Sequence, residues 1–428
     1  MKIALISLGC PKNLVDSENL LALIGERNFI ITDSIDEADL VIINTCAFIK
    51  DAVKESEENI RMVLRKNKDL IIWGCLVQRE KEKLLKKFKN VKGIVGVGNP
   101  VEVLKVIKEN KKGVVRIDEN CFRNLNEFPR LITTFPYAYI KISDGCENFC
   151  SYCLIPKLRG QLRSRKINDI LKEAENIEKL GYKEIILVAQ DTTKYGTDLK
   201  DGTNLVKLLS ELEKFDFEWI RIMYMHPAHL NEELIDKIRE SEKICKYFDI
   251  PMQHVSEKIL KLMGRPFIDY EKIIEKIRKK IPESAIRTNF IIGFPGENED
   301  DFKKLIEFIE NMKIDRIGFF KYSREKGTPA YNLPEQLSEK EKDERLRFII
   351  KKQEVISREN LKKYIGKKIK VLIEKKENDY FIGRTEFDAP EIDGVVYIKG
   401  SDFKIGNFYN IEIKFSNTHD LYSFIKGR

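Results

Sequence analysis

The chain has 428 residues, 42% of them hydrophobic and 34% charged, and 77 basic against 69 acidic side chains leave a formal net charge of +8. At roughly 150 residues per domain, this length predicts about three domains with real cores. So mild a basic excess excludes a nucleic-acid footprint, and no stretch approaches the roughly 18 consecutive apolar residues of a membrane span.

The first ten residues, Met1 to Cys10, are too short for a signal-peptide core and run into a polar helix, so they read as a first strand. The region 1–112 then alternates strands and helices. Lys2 to Leu8 precedes a helix from about Asp16, Asp39 to Asn44 one from about Lys50, and Leu70 to Trp73 one from about Gln78; Gly93 to Val97 adds a fourth strand. That alternation predicts a flavodoxin-like parallel sheet with helices on both faces. Cys10, Cys46 and Cys75 each fall one to three residues past a predicted strand end. They therefore lie at the carboxyl edge, where open α/β sheets bind ligands. Buried cysteine acting as a small hydrophobe is the plainer explanation; three separate strand ends delivering one thiol each favour a cluster site.

Residues 113–131, with Cys121, Pro129 and no clear period, suit a linker. From 132 to 362 a longer series places strands near Tyr137, Glu184, Trp219, Tyr247, Ala285 and Asp315 with amphipathic helices between them. It predicts a partial (β/α) barrel with its chemistry on the loops after the strands. Directly after the first of these strands stand Cys146, Cys150 and Cys153. Three thiolates in eight residues can hold three corners of a cubane iron-sulfur cluster and leave the fourth iron open. Zinc wants four ligands in Cys/His sets, and none of the right spacing adjoins this run.

Other strand ends add polar candidates: Gln190 and Asp191 after the second barrel strand, Gln253 after the fourth, Gly293 and Pro295 after the fifth. Arg163 and Arg165 follow the cysteine run and suit bidentate pairing with a carboxylate. His226, His229 and His254 fit no zinc spacing and are taken as structural, and Cys121 and Cys245 as ordinary thiols. Eight cysteines without a disulfide framework point to a reducing compartment, hence the cytoplasm. A charged helix from about Ser338 to Tyr364 closes this region. The region 363–428 returns to β-type alternation: Lys368 to Glu374, Tyr380 to Thr385, Val395 to Lys399, Tyr409 to Lys414 and Leu421 to Ile425. These predict a small oligonucleotide-binding-like barrel. From Tyr364 to Arg428 there are 11 Lys plus Arg and 10 Asp plus Glu, with acids gathered at Glu386, Asp388, Glu391 and Asp393. An acidic loop suits a basic protein partner better than phosphates.

The chain resembles the radical S-adenosylmethionine methylthiotransferases along its whole length. The motifs are the three separated cysteines, the run Cys146, Cys150, Tyr152, Cys153 with its aromatic, and the terminal TRAM-like barrel. Two stretches are similar to the branch that modifies a ribosomal protein. One is Leu8-Gly9-Cys10-Pro11-Lys12-Asn13, where the transfer-RNA branch has Gln-Met-Asn after the cysteine; the other is Asp388-Ala389-Pro390-Glu391-Ile392-Asp393-Gly394. The resemblance implies two 4Fe-4S clusters, on Cys10, Cys46 and Cys75 and on Cys146, Cys150 and Cys153. It also implies S-adenosylmethionine in two roles, as methyl donor and as source of a 5′-deoxyadenosyl radical that abstracts hydrogen. Contacts to it are expected from Tyr152, Arg163, Arg165, Gln190, Asp191, Gln253, Gly293 and Pro295. The implied substrate is an aspartate of small-subunit ribosomal protein twelve, methylthiolated at its β-carbon; the alternative is a transfer-RNA adenosine. An electron donor such as flavodoxin or ferredoxin, a sulfur donor and no membrane complete the implied partners. The two clusters are expected to face each other across a domain interface.

Overall fold

The computed structural model describes residues 1–98, 100–117 and 129–424. Its first sheet is built from β1 (Lys2–Ser7), β2 (Ile30–Thr32), β3 (Leu40–Thr45), β4 (Asp69–Gly74), β5 (Gly93–Val95) and β6 (Val114–Arg116). All pairs are parallel and the order is β2-β1-β3-β4-β5-β6. The helices are α1 (Pro11–Gly25), α2 (Lys50–Arg65), α3 (Cys75–Glu80), α4 (Lys83–Lys87) and α5 (Pro100–Lys108). Apolar side chains alternate to the two faces of the sheet and form a separate core on each, as a sheet covered on both sides requires. The flavodoxin-like order, shared by the first five strands, places the ligand crevice where strand order reverses, between β1 and β3.

Two sequence expectations need correction. Helix α1 begins at Pro11, not near Asp16, because Pro11 occupies the first helical position, where a missing N–H costs nothing. Strand β6 pairs with β5 inside the stretch assigned to the linker. Cys121 lies outside the described residues.

The central region carries β7 (Tyr137–Lys141), the short pair β8 (Ser143–Asp144) and β9 (Arg163–Ser164) around α6 (Ile155–Arg159), then α7 (Ile167–Lys179). Next come β10 (Glu184–Val188), α8 (Leu205–Leu212), β11 (Trp219–Ile222), α9 (Glu232–Glu240), β12 (Tyr247–Asp249), α10 (Glu257–Leu262) and α11 (Tyr270–Lys280). The series ends with β13 (Ala285–Ile292), α12 (Glu299–Met312), β14 (Arg316–Lys321) and α13 (Glu339–Lys362). Strands β7, β10 and β11 form one parallel set and β12, β13 and β14 another, joined by the bridge Ile220–Ile244. The result is an open, partial barrel. Its outer face packs on the helices in one large apolar core. Ser338 and Glu341 form a capping box that fixes the start of α13.

The last region, β15 (Lys368–Glu377), β16 (Tyr380–Thr385), β17 (Val396–Lys399), β18 (Phe408–Glu412), β19 (Phe415–Ser416) and β20 (Leu421–Phe424), is one curled sheet ordered β18-β15-β16-β17-β20-β19. An irregularity between Ile373 and Lys375 bends β15. The loop after β16 enters the amino-terminal mouth of the barrel. There Arg384 pairs with Glu184, Asp388 with Arg316 at 2.6 Å, and Asp393 with Arg287 at 3.4 Å. Tyr137 donates to Glu391 at 3.2 Å and the Lys246 amide to Glu386 at 3.2 Å. The acids expected to form a partner-facing loop are therefore engaged with the barrel, and their charge says nothing about protein or RNA. Among the described residues, no helix is long and apolar enough to cross a membrane.

Candidate functional site

Three adjacent strands of the first sheet, β1, β3 and β4, each deliver one cysteine at the carboxyl edge. Neighbouring strands lie roughly 4.8 Å apart, so Cys10, Cys46 and Cys75 gather over a space of cluster size. Cys10 is the N-cap of α1 and Cys75 the first residue of α3. Gly9, at φ +90°, lets Cys46 approach: a Cβ there would lie 2.9 Å from its Sγ. Burial, together with Cys10 and Cys46, pushes the Cys75 thiol up to about 12 against the pull of Arg159. At Cys10 burial also acts upward, but the charges of Lys12 and Arg159 and the N–H groups of the first turn bring the thiol below its ordinary value.

The other triad lies on the loop after β8. The Asn148 N–H points at Cys146 Sγ at 3.5 Å and the Ile155 N–H at Cys153 Sγ at 3.4 Å. Arg265 places Nη1 3.8 Å from Cys150 Sγ and fixes Nη2 on the Pro251 carbonyl at 2.8 Å. Burial, then Cys150 and Cys146, lift Cys153 to about 12. Buried thiols that raise one another in this way become thiolates only beside a cation. Three thiols, amide donors and one guanidinium are a donor set that fits an iron-sulfur cluster, whose hydrogen bonds and nearby charges tune it. Cys245, outside both triads, is buried at the barrel's other mouth among apolar side chains and beside the charges of Arg221, Glu184, Glu386 and Arg384.

The segment following Cys153 welds the two triads together. Leu154 and Leu158 belong to the core of the first domain, beside Cys75 and Leu76. Arg159 reaches Cys75 Sγ at 3.8 Å, Asn13 Oδ1 at 2.5 Å and Asp144 Oδ2 at 2.7 Å. Helix α1 completes the joint. Asp16 pairs with Lys141 and Arg159, and the fully buried Glu18 accepts from Arg130 at 2.5 Å and from the Thr133 amide at 2.7 Å. Sequence reading missed Lys12, Asp144, Arg159 and Arg265; nearness to a cysteine was the available signal for the first three, and Arg265, between α10 and α11, carried none.

Of the expected ligand contacts, several reach the cysteine run. Tyr152 meets Phe294 edge-on at 6.4 Å between ring centroids, so the Gly293 to Pro295 turn lies beside it. Asp191 accepts from Asn148 at 2.9 Å, from His229 at 2.8 Å and from the Thr193 amide at 3.1 Å. Burial raises its carboxyl, but the bonds from His229, Thr193 and Asn148 prevail and hold it at about 2. Gln190 donates to Asp144 at 2.8 Å while its buried Oε1 has no partner among the described residues. Gln253 adopts φ +73° and bridges to Phe290, leaving its side chain half-buried.

Others turn elsewhere. Arg165 pairs with Glu173 at 2.5 Å and donates to the carbonyls of Lys141 and Asp169, so it offers no bidentate clamp to a ligand. Arg163 donates to the carbonyls of Gln161 and Arg159. Gly293 was expected to contact S-adenosylmethionine, but a Cβ there would lie 2.4 Å from Lys342 Cγ; its φ of +72° and the packing of α13 explain the glycine. The histidines divide. His254 is buried and accepts from the Ser256 amide at 3.0 Å, whereas His226 stacks at 4.8 Å on His229 beside Asp191, among the site's polar groups.

A three-cysteine loop at the carboxyl mouth of a partial parallel barrel defines a radical S-adenosylmethionine enzyme, and the family models agree. Uncharacterized protein family UPF0004 matches residues 2–96, the Radical SAM superfamily residues 140–309 and the TRAM domain residues 365–425. The fold is similar to that of the radical S-adenosylmethionine methyltransferase TsrM from Kitasatospora setae, with TM-score 0.59 and 14% identity over 77% of this chain and 76% of that one. The chain is 44% identical to the ribosomal protein uS12 methylthiotransferase RimO of Clostridioides difficile over 98% of both chains. It is 43% identical to that of Thermotoga maritima over 99% of this chain and all of the other. It belongs to the RimO family of methylthiotransferases.

Proposed function

We propose that this chain transfers a methylthio group to the β-carbon of one aspartate of ribosomal protein uS12, consuming one S-adenosylmethionine as methyl donor and another as radical source. The observation that supports it most directly is the pair of three-thiol sites joined by α1 and Arg159. A β-carbon hydrogen is too weakly acidic for any side-chain base, so the chemistry must come from cofactors. A 4Fe-4S cluster on Cys146, Cys150 and Cys153 would supply the electron that opens S-adenosylmethionine, and one on Cys10, Cys46 and Cys75 would carry the sulfur.

The protein's own residues arrange this chemistry. The Asn148 and Ile155 amides and Arg265 offset negative charge on the second triad, and Arg159 does so at Cys75. The Tyr152 ring, backed edge-on by the fully buried Phe294, offers an aromatic face suited to a nucleobase. Gln190, with an unsatisfied buried oxygen, together with Gln253 and Pro295, offers further contacts to S-adenosylmethionine. An external one-electron donor such as flavodoxin or ferredoxin, and a sulfur donor, would serve the two sites.

The test is anaerobic reconstitution followed by incubation with S-adenosylmethionine, reductant and sulfide, with uS12 and transfer RNA in separate reactions. Mass spectrometry should find one methylthio group in place of one hydrogen on a uS12 aspartate. The same gain on an adenosine, with uS12 unchanged, would overturn the proposal in favour of the transfer-RNA branch.

A further inference from the structure

Each buried acidic residue where α1 meets the barrel has a partner of opposite charge: Asp16 has Lys141 and Arg159, and Glu18 has Arg130. Lys12 does not. Only 7% exposed, it directs Nζ to the Ala189 carbonyl at 3.1 Å and lies 4.4 Å above the ring centroid of Tyr224. No carboxylate among the described residues comes within ion-pairing distance of it. An ammonium has three donors, and a carbonyl with a ring face leaves it under-satisfied. An ammonium taken from water without an anion is costly, so a buried lysine of this kind is one that a further anion completes.

Its position says where that anion comes from. Lys12 is two residues from Cys10, while Ala189 is two residues before Asp191, whose carboxylate holds Asn148 inside the other cysteine run. The ammonium thus stands between the two triads. Tyr224 is held beneath it in a left-handed conformation at φ +60°, an outlier for a bulky residue. The amide of Tyr224 donates to Asp249 at 2.9 Å and its carbonyl accepts from Thr192 at 3.1 Å, which keep it there. Backbone strain kept in place beside reacting groups points to a functional placement.

We propose that Lys12 binds the side-chain carboxylate of the substrate aspartate. This rests on the reading that the acceptor is an aspartate. The attacked β-carbon is bonded directly to that carboxylate, so one ion pair to Lys12 sets the reacting carbon between the site that removes its hydrogen and the site that delivers sulfur. The competing role, a counter-ion for the Cys10 thiolate alone, involves no substrate carboxylate.

The experiment compares reconstituted wild type with Lys12→Met and Lys12→Arg. Each is given two fluorescent uS12 loop peptides that differ only in Asp or Asn at the target position. Readouts are binding by anisotropy, methylthiolation by mass spectrometry, iron per chain and the spectra of each cluster. A charge-assisted pair predicts that wild type binds the Asp peptide about 10- to 100-fold tighter than the Asn peptide. In Lys12→Met that preference should vanish, the Asn peptide being bound as in wild type and both clusters retained. Lys12→Arg, which keeps the charge, should retain part of the preference and decides the matter if the Met variant does not hold iron. Equal binding of the two peptides by wild type, or an equal loss for both in Lys12→Met, overturns the inference. Wild type that binds with the preference yet modifies neither peptide overturns the proposed reaction instead.

Discussion

At the amino-terminal mouth of the barrel, Glu184 lies between Arg221 at 2.7 Å and Arg384, which also holds Glu374 at 2.7 Å. Beside them Arg287 pairs with Asp249 at 2.9 Å, and Tyr247 donates to Asp393 at 2.6 Å. At the carboxyl mouth the groups are as deeply placed, but among the described residues Lys12 has no carboxylate and Gln190 Oε1 no donor. The contrast teaches how to separate support from function in a molecule full of buried charge. Where every charge has its counter-charge, the arrangement is closed and positions a domain; where the set is incomplete, the missing members are ligands.

The largest expected effect falls on the open mouth. Cys150→Ala should abolish product formation while the chain keeps the cluster on Cys10, Cys46 and Cys75, seen as a halving of bound iron with one electron-paramagnetic signal retained. Loss of both clusters together would mean that the two sites are not independent.

Next comes the closed mouth. Arg384→Met leaves Glu374 without its guanidinium and Glu184 with Arg221 alone, and breaking a buried pair costs about 3–5 kcal/mol. Urea unfolding should show that loss, whereas iron content per folded chain should stay at the wild-type level. A change in iron without a change in stability would erase the distinction between the mouths.

The smallest effect concerns pH. Burial, then the nearby charge of Arg265, bring His226 down to about 3, with Asp191 opposing and His229 and Lys194 adding to the shift. An unfolded chain takes up this proton near pH 6.5. Between about 6.5 and about 3 the unfolded state therefore binds more protons, so this contribution to stability is full above that window and is lost as pH falls through it. In His226→Gln the urea midpoint should decline less than in wild type between neutral and mildly acidic pH. Parallel profiles would show that His226 does not carry the dependence.

How much of this was legible in the sequence follows from the range of the forces involved. The six barrel strands were readable because each is a local apolar run, and the six cysteines because their spacing and strand-end positions are local too. Strand β2 was missed since it is a short, mostly exposed edge, and β6 since three residues at the end of a sheet look like linker. Charge read as composition misled twice. Asp388 and Asp393 looked like an acidic surface until their partners on β13 and β14 were visible, and Arg165 looked like a ligand clamp until Glu173 was. Of Lys12 only its nearness to Cys10 was legible, because its hydrogen-bond acceptor lies 177 residues away.

The docking of Leu154 and Leu158 into the first domain's core sets an order of events during synthesis. Domains of a nascent chain fold from the amino terminus as they emerge. Here the core that contains Cys75 and Leu76 also contains Leu154 and Leu158, which the first hundred residues do not supply. The core beneath Cys75 is thus completed only after Cys146, Cys150 and Cys153 have been made. A truncated chain ending before Leu154 would hold the first three thiols on a core that lacks these two leucines.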